Sequence, residues 1–168
     1  MISHPSGGQV ILCLAMLNRV NLEVIWFDQD VIEVLLSCSN GYFAGASEIY
    51  VSHHGLSELA DALQGFPSSV SDIRTVELGT FDPNHADGGL QMCLYCKDSS
   101  GCVDAELKLR GGGCKAFGEM ESVALRMHLE PAGIDAFVLQ LKRVDATIGA
   151  SAFLPMAIEH RAASYQLA

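Results

Sequence analysis

Three stretches of sequence decide the fold: LQMCLYCK at 90–97, CVDAELKLR at 102–110 and SVALRMHLE at 122–130. In each of them, apolar residues occupy every second position, which is the repeat of a β-strand with one buried face. Most of the positions in between are polar. The three stretches therefore predict an antiparallel meander that buries one face and leaves the other in water.

Segments before the meander extend the sheet. Residues 31–38 alternate in the same way, and the Ser39-Asn40-Gly41 sequence after them favours a turn, because Asn and Gly tolerate a positive φ angle. A second strand returns over 42–51. A short segment at 73–79 completes an antiparallel sheet of about six strands, and 22–27 is a further candidate strand.

Two segments carry the repeat of an amphipathic helix. The first covers 54–64, and Gly65 predicts its end. The second begins at Pro131 and ends near Arg143, where the helix dipole favours a cation. The apolar stripes are Leu56, Leu59, Ala60 and Leu63 in the first helix, and Ile134, Phe137, Val138 and Leu141 in the second. Each stripe needs an apolar surface, so we expect an α+β fold with both helices packed on one face of the sheet.

The two ends of the chain lack this periodicity. We therefore expect one α+β domain over 22–144. An accessory N-terminal segment over 1–21 and an accessory C-terminal tail over 145–168 flank it. A chain of 168 residues is long enough for a core that needs no disulfide or metal.

Composition indicates a globular protein in a reducing compartment. Hydrophobic residues make up 49% of the chain and charged residues 18%, which excludes a disordered chain. The chain has no apolar run of the length that spans a membrane, and Val10–Leu17 lacks the flanks of a signal peptide. We expect a cytoplasmic protein whose six cysteines are mostly buried thiols without a disulfide framework.

The charge is unevenly distributed. The net charge is −10, and residues 20–73 contain eight acidic residues but no Lys or Arg. Such a surface repels nucleic acid and anionic lipid and attracts a basic protein. The alternative interpretation is that the acids only maintain solubility. The acids with the best prospect of binding a partner are Asp28, Asp30, Glu33, Glu58 and Asp61.

Four motifs resemble metal or phosphate sites, but each lacks a required feature. Cys93 and Cys96 lie within a strand, which directs residues three apart to opposite faces. The loop at 82–89 lacks the Gly and Glu of a calcium loop, the His pair at 53–54 lacks a third ligand, and the glycines at 111–113 lack the Lys-Ser/Thr of a phosphate loop. We therefore expect no metal and no cofactor.

The polar face of the meander is the best remaining place for catalysis. Its charged residues are Asp104, Glu106, Arg126 and His128, which can meet across neighbouring strands. A His beside a carboxylate can act as an acid or a base. Cross-strand ion pairs on a solvated face are far more common than active sites, so we assign no catalytic residue.

Several segments resemble a family of small bacterial proteins of unknown function. They are Ser39 to Gly45, Leu56 to Leu63, Gly65-Phe66-Pro67 and Pro131 to Phe137. The resemblance covers roughly 31–144, and families of this kind are similar to the immunity proteins that accompany bacterial toxins. The matching residues are turns, helix ends and core positions, so the resemblance implies a fold and a protein-binding role without a catalytic residue.

Three functions remain open from the sequence. The first is a non-enzymatic acidic domain that binds and blocks a basic protein such as a toxin. The second is a small enzyme or ligand-binding domain that uses a cavity between sheet and helices, with His128 or the cysteines involved. The third is a structural domain that forms a homodimer through its apolar ends.

Overall fold

Eight strands and two helices make up the part of the chain that the computed structural model describes, which is residues 18–82, 88–98, 101–111 and 121–157. The first half contains β1 (Arg19–Phe27), β2 (Val31–Ser39), β3 (Ala44–Ser52) and α1 (Gly55–Leu63). The second half contains β4 (Ile73–Gly79), β5 (Gly89–Cys96), β6 (Val103–Arg110), β7 (Ser122–Leu129), α2 (Pro131–Leu141) and β8 (Ser151–Pro155).

The strands form two antiparallel sheets of four. Sheet A has the order β3-β2-β1-β8, and sheet B has the order β4-β5-β6-β7. The predicted α+β class is therefore confirmed, whereas the prediction of one sheet of about six strands is wrong. The physical reason is α1, which contacts both β3 and β4. The chain passes through this helix between the two strands, which contact each other without pairing.

The predicted C-terminal tail, 145–168, contains a strand of sheet A. β8 pairs with β1, and its Ala152 and Leu154 are buried opposite Leu22 and Val20. Within the predicted N-terminal segment, residues 19–21 belong to β1. Residues 1–17 and 158–168 lie outside the described ranges.

One core joins the two sheets and the two helices. The residues predicted for both helix stripes are buried, and so are the alternating residues Ile32, Val34, Leu36 and Cys38 of β2. The helices pack against each other, α1 against β4 and α2 against β8. They therefore connect the edge strand of one sheet to the edge strand of the other.

Arg74 ties the end of α1 to β4. Its Nη1 donates to the carbonyl oxygens of Ala62 and Gln64 at 3.0 and 2.7 Å, and its Nη2 donates to that of Gly65 at 3.3 Å. Gly65 has a φ of +68°, the left-handed conformation that ends many helices. The last carbonyls of a helix lack partners within it, so the guanidinium satisfies groups that would otherwise need water.

Candidate protein-binding surface

The outer side of sheet A carries an exposed surface that combines acids with aromatic rings. The register places Trp26, Glu33 and Tyr50 in one row across β1, β2 and β3. Glu23, Leu35 and Glu48 form the next row. Trp26 is 42% exposed and Tyr50 40%. We call these six residues the acidic face.

A β-bulge in β1 places Trp26 on this face. Val24 is buried and pairs with Val34, and the register then shifts, so that Trp26 pairs with Glu33. In a regular strand without the bulge, Ile25 would point outward and the alternation of β1 would direct Trp26 into the core. The bulge therefore moves the Trp26 ring from the core to the surface, beside Glu33.

The turn between β1 and β2 adds two acids at the edge of the acidic face. Asp28 and Asp30 are both exposed. The Asp28 carboxylate accepts hydrogen bonds from the backbone N–H groups of Asp30 and Val31, at 2.8 and 2.9 Å. The bond from Val31, with the second from Asp30, lowers the pKa of Asp28 below its ordinary value. The Asp28 carboxylate is therefore fixed by the turn to which it belongs.

The acidic face ends halfway along the sheet. In the rows beyond Glu23, the outward side chains of Asn21, Ser37 and Ser39 are buried. At the far end Arg19 lies over the ring of Phe153, 5.3 Å from its centre. The accessible acids of sheet A are thus concentrated in the half next to the β1–β2 turn, whereas exposed aromatic rings also occur at the far end, at Tyr42, Phe43 and Phe153.

The other two predicted acids belong to a different element. Glu58 and Asp61 are exposed on α1. Asp61 forms an ion pair with Lys142 of α2, with 3.0 Å between Oδ1 and Nζ. The structure therefore brings Asp28, Asp30 and Glu33 together and separates them from the two acids of α1.

The five acids selected from the sequence leave out Glu23 and Glu48, and sequence reasoning missed both aromatic residues as members of this surface. Glu48 and Tyr50 occupy alternate positions of β3, so the strand repeat alone contained a signal for them. Trp26 offered none, because the bulge that turns it outward has no signature in residues 22–27. A large aromatic residue in an apolar strand is normally counted as core.

On the outer side of sheet B, the predicted cross-strand pairs form. Arg126 and Glu106 make an ion pair of 2.5 Å, and the Tyr95 hydroxyl donates to the same carboxylate at 3.4 Å. His128 Nδ1 contacts the Asp104 carboxylate, which is buried. This arrangement orients the imidazole and is consistent with cross-strand stabilisation.

A cavity of about 620 Å³ adjoins His128. Cys102 and Lys97 line it on one side, and Pro131 and Ala132 at the start of α2 line it on another. This cavity lies between sheet B and a helix, as the ligand-binding alternative requires.

The predicted metal-like motifs serve local structure where they are described. Cys93 and Cys96 both lie in β5, where a separation of three residues directs them to opposite faces. His53 Nε2 contacts the Asp28 carbonyl oxygen at 2.9 Å and so links the end of β3 to the β1–β2 turn. Within the described ranges, no three His, Cys, Asp or Glu side chains come together as a metal-binding group. Residues 83–87 and 112–113, which belong to the two glycine-containing loops, lie outside those ranges.

Comparisons with known proteins give no relative: no family model matches the sequence, and no significant match is found among curated proteins or solved structures. In the described part of the chain, neither helix has the length and apolar character needed to cross a membrane.

Proposed function

We propose that this chain is a non-enzymatic protein-binding domain whose acidic face binds a basic protein, in the manner of an immunity protein that blocks a toxin. The observation that carries the proposal is the row in which a half-buried Glu33 lies between the exposed rings of Trp26 and Tyr50. Trp and Tyr are the residues most enriched among those that dominate binding energy at protein interfaces.

The chemistry of this row fits an arginine or lysine side chain. A guanidinium can lie over an aromatic ring, where the negative face of the ring attracts it. The same group can form two parallel hydrogen bonds with a carboxylate. Glu33 and its aromatic neighbours offer both interactions within one row of a sheet, whose backbone is already ordered before binding.

The surrounding acids favour the same partner over longer distances. Glu23 and Glu48 are one row away, and Asp28 and Asp30 are on the adjoining turn. No Lys or Arg occurs between residues 20 and 73 to neutralise them. Charges at the rim of an interface mainly raise the association rate and its dependence on salt. We therefore assign steering to the two turn acids and anchoring to the Trp26–Glu33–Tyr50 row.

The test is to capture partners from the native organism, purify the best one and titrate it at low and high salt. Trp26→Ala should weaken binding by about 30-fold or more, as loss of a central aromatic residue does. Asp28→Asn with Asp30→Asn should slow association and flatten its salt dependence. Asp135→Asn, which changes an exposed acid of α2, is the matched control. A basic partner that binds all these variants as tightly as the original chain would refute the proposal.

A small-molecule site is the second candidate, favoured by the cavity beside His128. The Asp104 carboxylate directs the His128 ring, and Cys102 lines the same cavity. Titration with a panel of small carboxylates and phosphates, followed by NMR, tests it. A true ligand should shift the amide signals of Cys102 and Ala132 in a saturable way, and His128→Gln should abolish those shifts. Self-association through the apolar ends stays a prediction that sedimentation can test.

A further inference from the structure

The edge strands of the two sheets run beside each other without pairing. They converge at the end where Gly88, the residue before β5, donates its N–H to the Glu48 carbonyl oxygen of β3 at 3.2 Å. There a Cβ added to Gly79 would lie 3.2 Å from Ile49 Cγ2. Toward the other end α1 separates β3 from β4, since it contacts both strands. The result is a groove with a strand edge on each side.

The hydrogen-bond pattern of sheet B fixes which groups of β4 face the groove. Thr80 N–H donates to the Gly88 carbonyl oxygen at 3.0 Å, and Lys97 N–H donates to that of Cys102 at 2.9 Å. Backbone groups of an antiparallel strand alternate in direction. Because the register of β4 and β5 is regular, these bonds show that the backbone N–H and C=O groups of Thr75 and Glu77 point away from β5. Within the described part of the chain, the backbone N–H and C=O groups of these two residues have no hydrogen-bond partner.

The opposite wall shows the same alternation. Asn40 N–H donates to the Phe43 carbonyl oxygen at 3.1 Å at the β2–β3 turn. The register from that turn onward is regular, so Glu48 and Ser52 direct their backbone groups away from β2. The bond from Gly88 to Glu48 confirms this direction. The groove is therefore bordered by two strand edges, but the Glu48 carbonyl oxygen is already bonded to Gly88, so β4 is the edge that can accept an added strand.

The groove has space, an apolar side and a negative charge. Its volume is about 460 Å³, and its lining includes Leu59 and Val76. The two charged residues that line it are Glu58 and Glu77, both acidic and exposed. An uncapped, accessible edge is a template for a strand from another chain, and the acids select for a basic one.

We propose that the basic partner inserts an extended segment into this groove and adds it to β4 as a fifth strand of sheet B. This inference rests on the proposed function, because it names the form in which that partner is bound. Addition of a strand to a sheet edge obtains affinity from backbone hydrogen bonds and specificity from alternate side chains.

The alternation defines the sequence of the segment. Its residues opposite Thr75 and Glu77 lie on the outer side of the sheet, so at least one of them is Lys or Arg. Its residues opposite Val76 face inward toward Leu59 and are apolar or β-branched. Tyr50 and Ser52 border the groove and also belong to β3, so the same partner reaches the acidic face from this position.

The test uses a six-residue peptide of alternating lysine and valine as the probe, followed by NMR and hydrogen exchange. On binding, the amide hydrogens of Thr75 and Glu77 should exchange at least about tenfold more slowly. Methylation of alternate peptide nitrogens should weaken binding by about tenfold for each lost hydrogen bond of typical strength. A lysine–alanine helical peptide of the same charge is the control and should protect neither amide.

Substitution of the edge gives a second, independent measurement. Thr75→Pro removes the N–H that faces the groove, and proline is tolerated at a sheet edge. The change should weaken peptide binding about tenfold, whereas the matched control Thr75→Val should leave it within about twofold. If Thr75→Pro fails to fold, the exchange data on the original chain decide.

The outcomes separate this inference from the proposed function. Peptide signals confined to Glu23, Glu33 and Glu48, with Thr75 and Glu77 unprotected, would overturn the added strand while leaving the acidic face as a binding surface. Protection of Thr75 and Glu77 that persists in Trp26→Ala supports the added strand even if the acidic face has no role. No binding at low salt would overturn the inference.

Discussion

The Asp72 carboxylate holds the Arg74 guanidinium at 3.0 Å, and the same guanidinium bonds the carbonyl oxygens that end α1. The Asp72 Oδ2 also accepts hydrogen bonds from the backbone N–H and the hydroxyl of Ser68, both at 2.8 Å. Arg74 in addition lies over the Phe66 ring. The loop between α1 and β4 is thus organised around one cation, and the position of α1 in the wall of the groove depends on it.

Replacement of Arg74 by Met should destabilise the protein by about 2 kcal/mol, because several hydrogen bonds of a charged donor are lost together. Urea unfolding at neutral pH measures the change. Arg143→Met, which removes an exposed cation near the end of α2, is the control and should have an effect close to zero. Equal and small effects of both changes would show that Arg74 does not hold the end of α1.

The same pair predicts a dependence of stability on acid. The hydrogen bond from Arg74, assisted by those from Ser68, lowers the pKa of Asp72 from 3.8 to about 2. A carboxylate whose pKa is lowered by folding stabilises the folded state at pH values above its ordinary pKa. This stabilisation is lost as the pH falls toward 2. The thermal unfolding midpoint of Asp72→Asn should therefore lie below that of the original chain at pH 5. The gap should narrow between pH 4 and pH 2, and a constant gap over that range would contradict the prediction.

Leu154→Ala tests whether β8 is a structural strand. Leu154 is fully buried opposite Val20 of β1, so its truncation should cost about 2–5 kcal/mol of unfolding free energy. Ile148→Ala changes a side chain that is 65% exposed and should cost much less. If the two variants unfold at the same denaturant concentration, then β8 does not contribute to the core.

The cysteines should differ sharply in their reaction with iodoacetamide. Burial raises the pKa of the Cys38 thiol to about 11, so its thiolate at pH 8 is on the order of one part in a thousand. Among the four cysteines that the structure describes, Cys102 is exposed and should be alkylated first, with Cys93 and Cys96 slower. Peptide mass mapping before and after denaturation measures the order. Rapid labelling of Cys38 in the folded protein would show that β2 is not packed as described.

Local periodicity predicted the elements but not how they assemble. The predicted helix stripes and the alternation of β2 and β6 are confirmed. Burial of one face of an element requires apolar residues at a fixed spacing, and that spacing is visible within the sequence of the element itself. The division into two sheets depends instead on α1, which connects β3 to β4, and on β8. Strand β8 completes sheet A although it is far from the other strands of that sheet in the sequence. β8 itself has five residues and ends at Pro155, so its repeat is too short to stand out from a loop.

The candidate surface was predicted in part, for the same reason. Charge counting identified the acidic stretch, and Glu33 could be assigned to an outward position from the β2 repeat. The row that joins it to Trp26 and Tyr50 requires the register of three strands and the bulge in β1. Neither feature is present in any one segment of the sequence.

The pairing of β8 with β1 has a consequence for the protein as it leaves the ribosome. The strands of sheet B follow one another along the chain, so this sheet can form once residue 129 has emerged. Sheet A lacks its fourth strand until residue 155 is available. During that interval the edge of β1 is open to other nascent chains. We therefore expect the newly made chain to be most prone to association, and most dependent on chaperones, while β8 is still being synthesised.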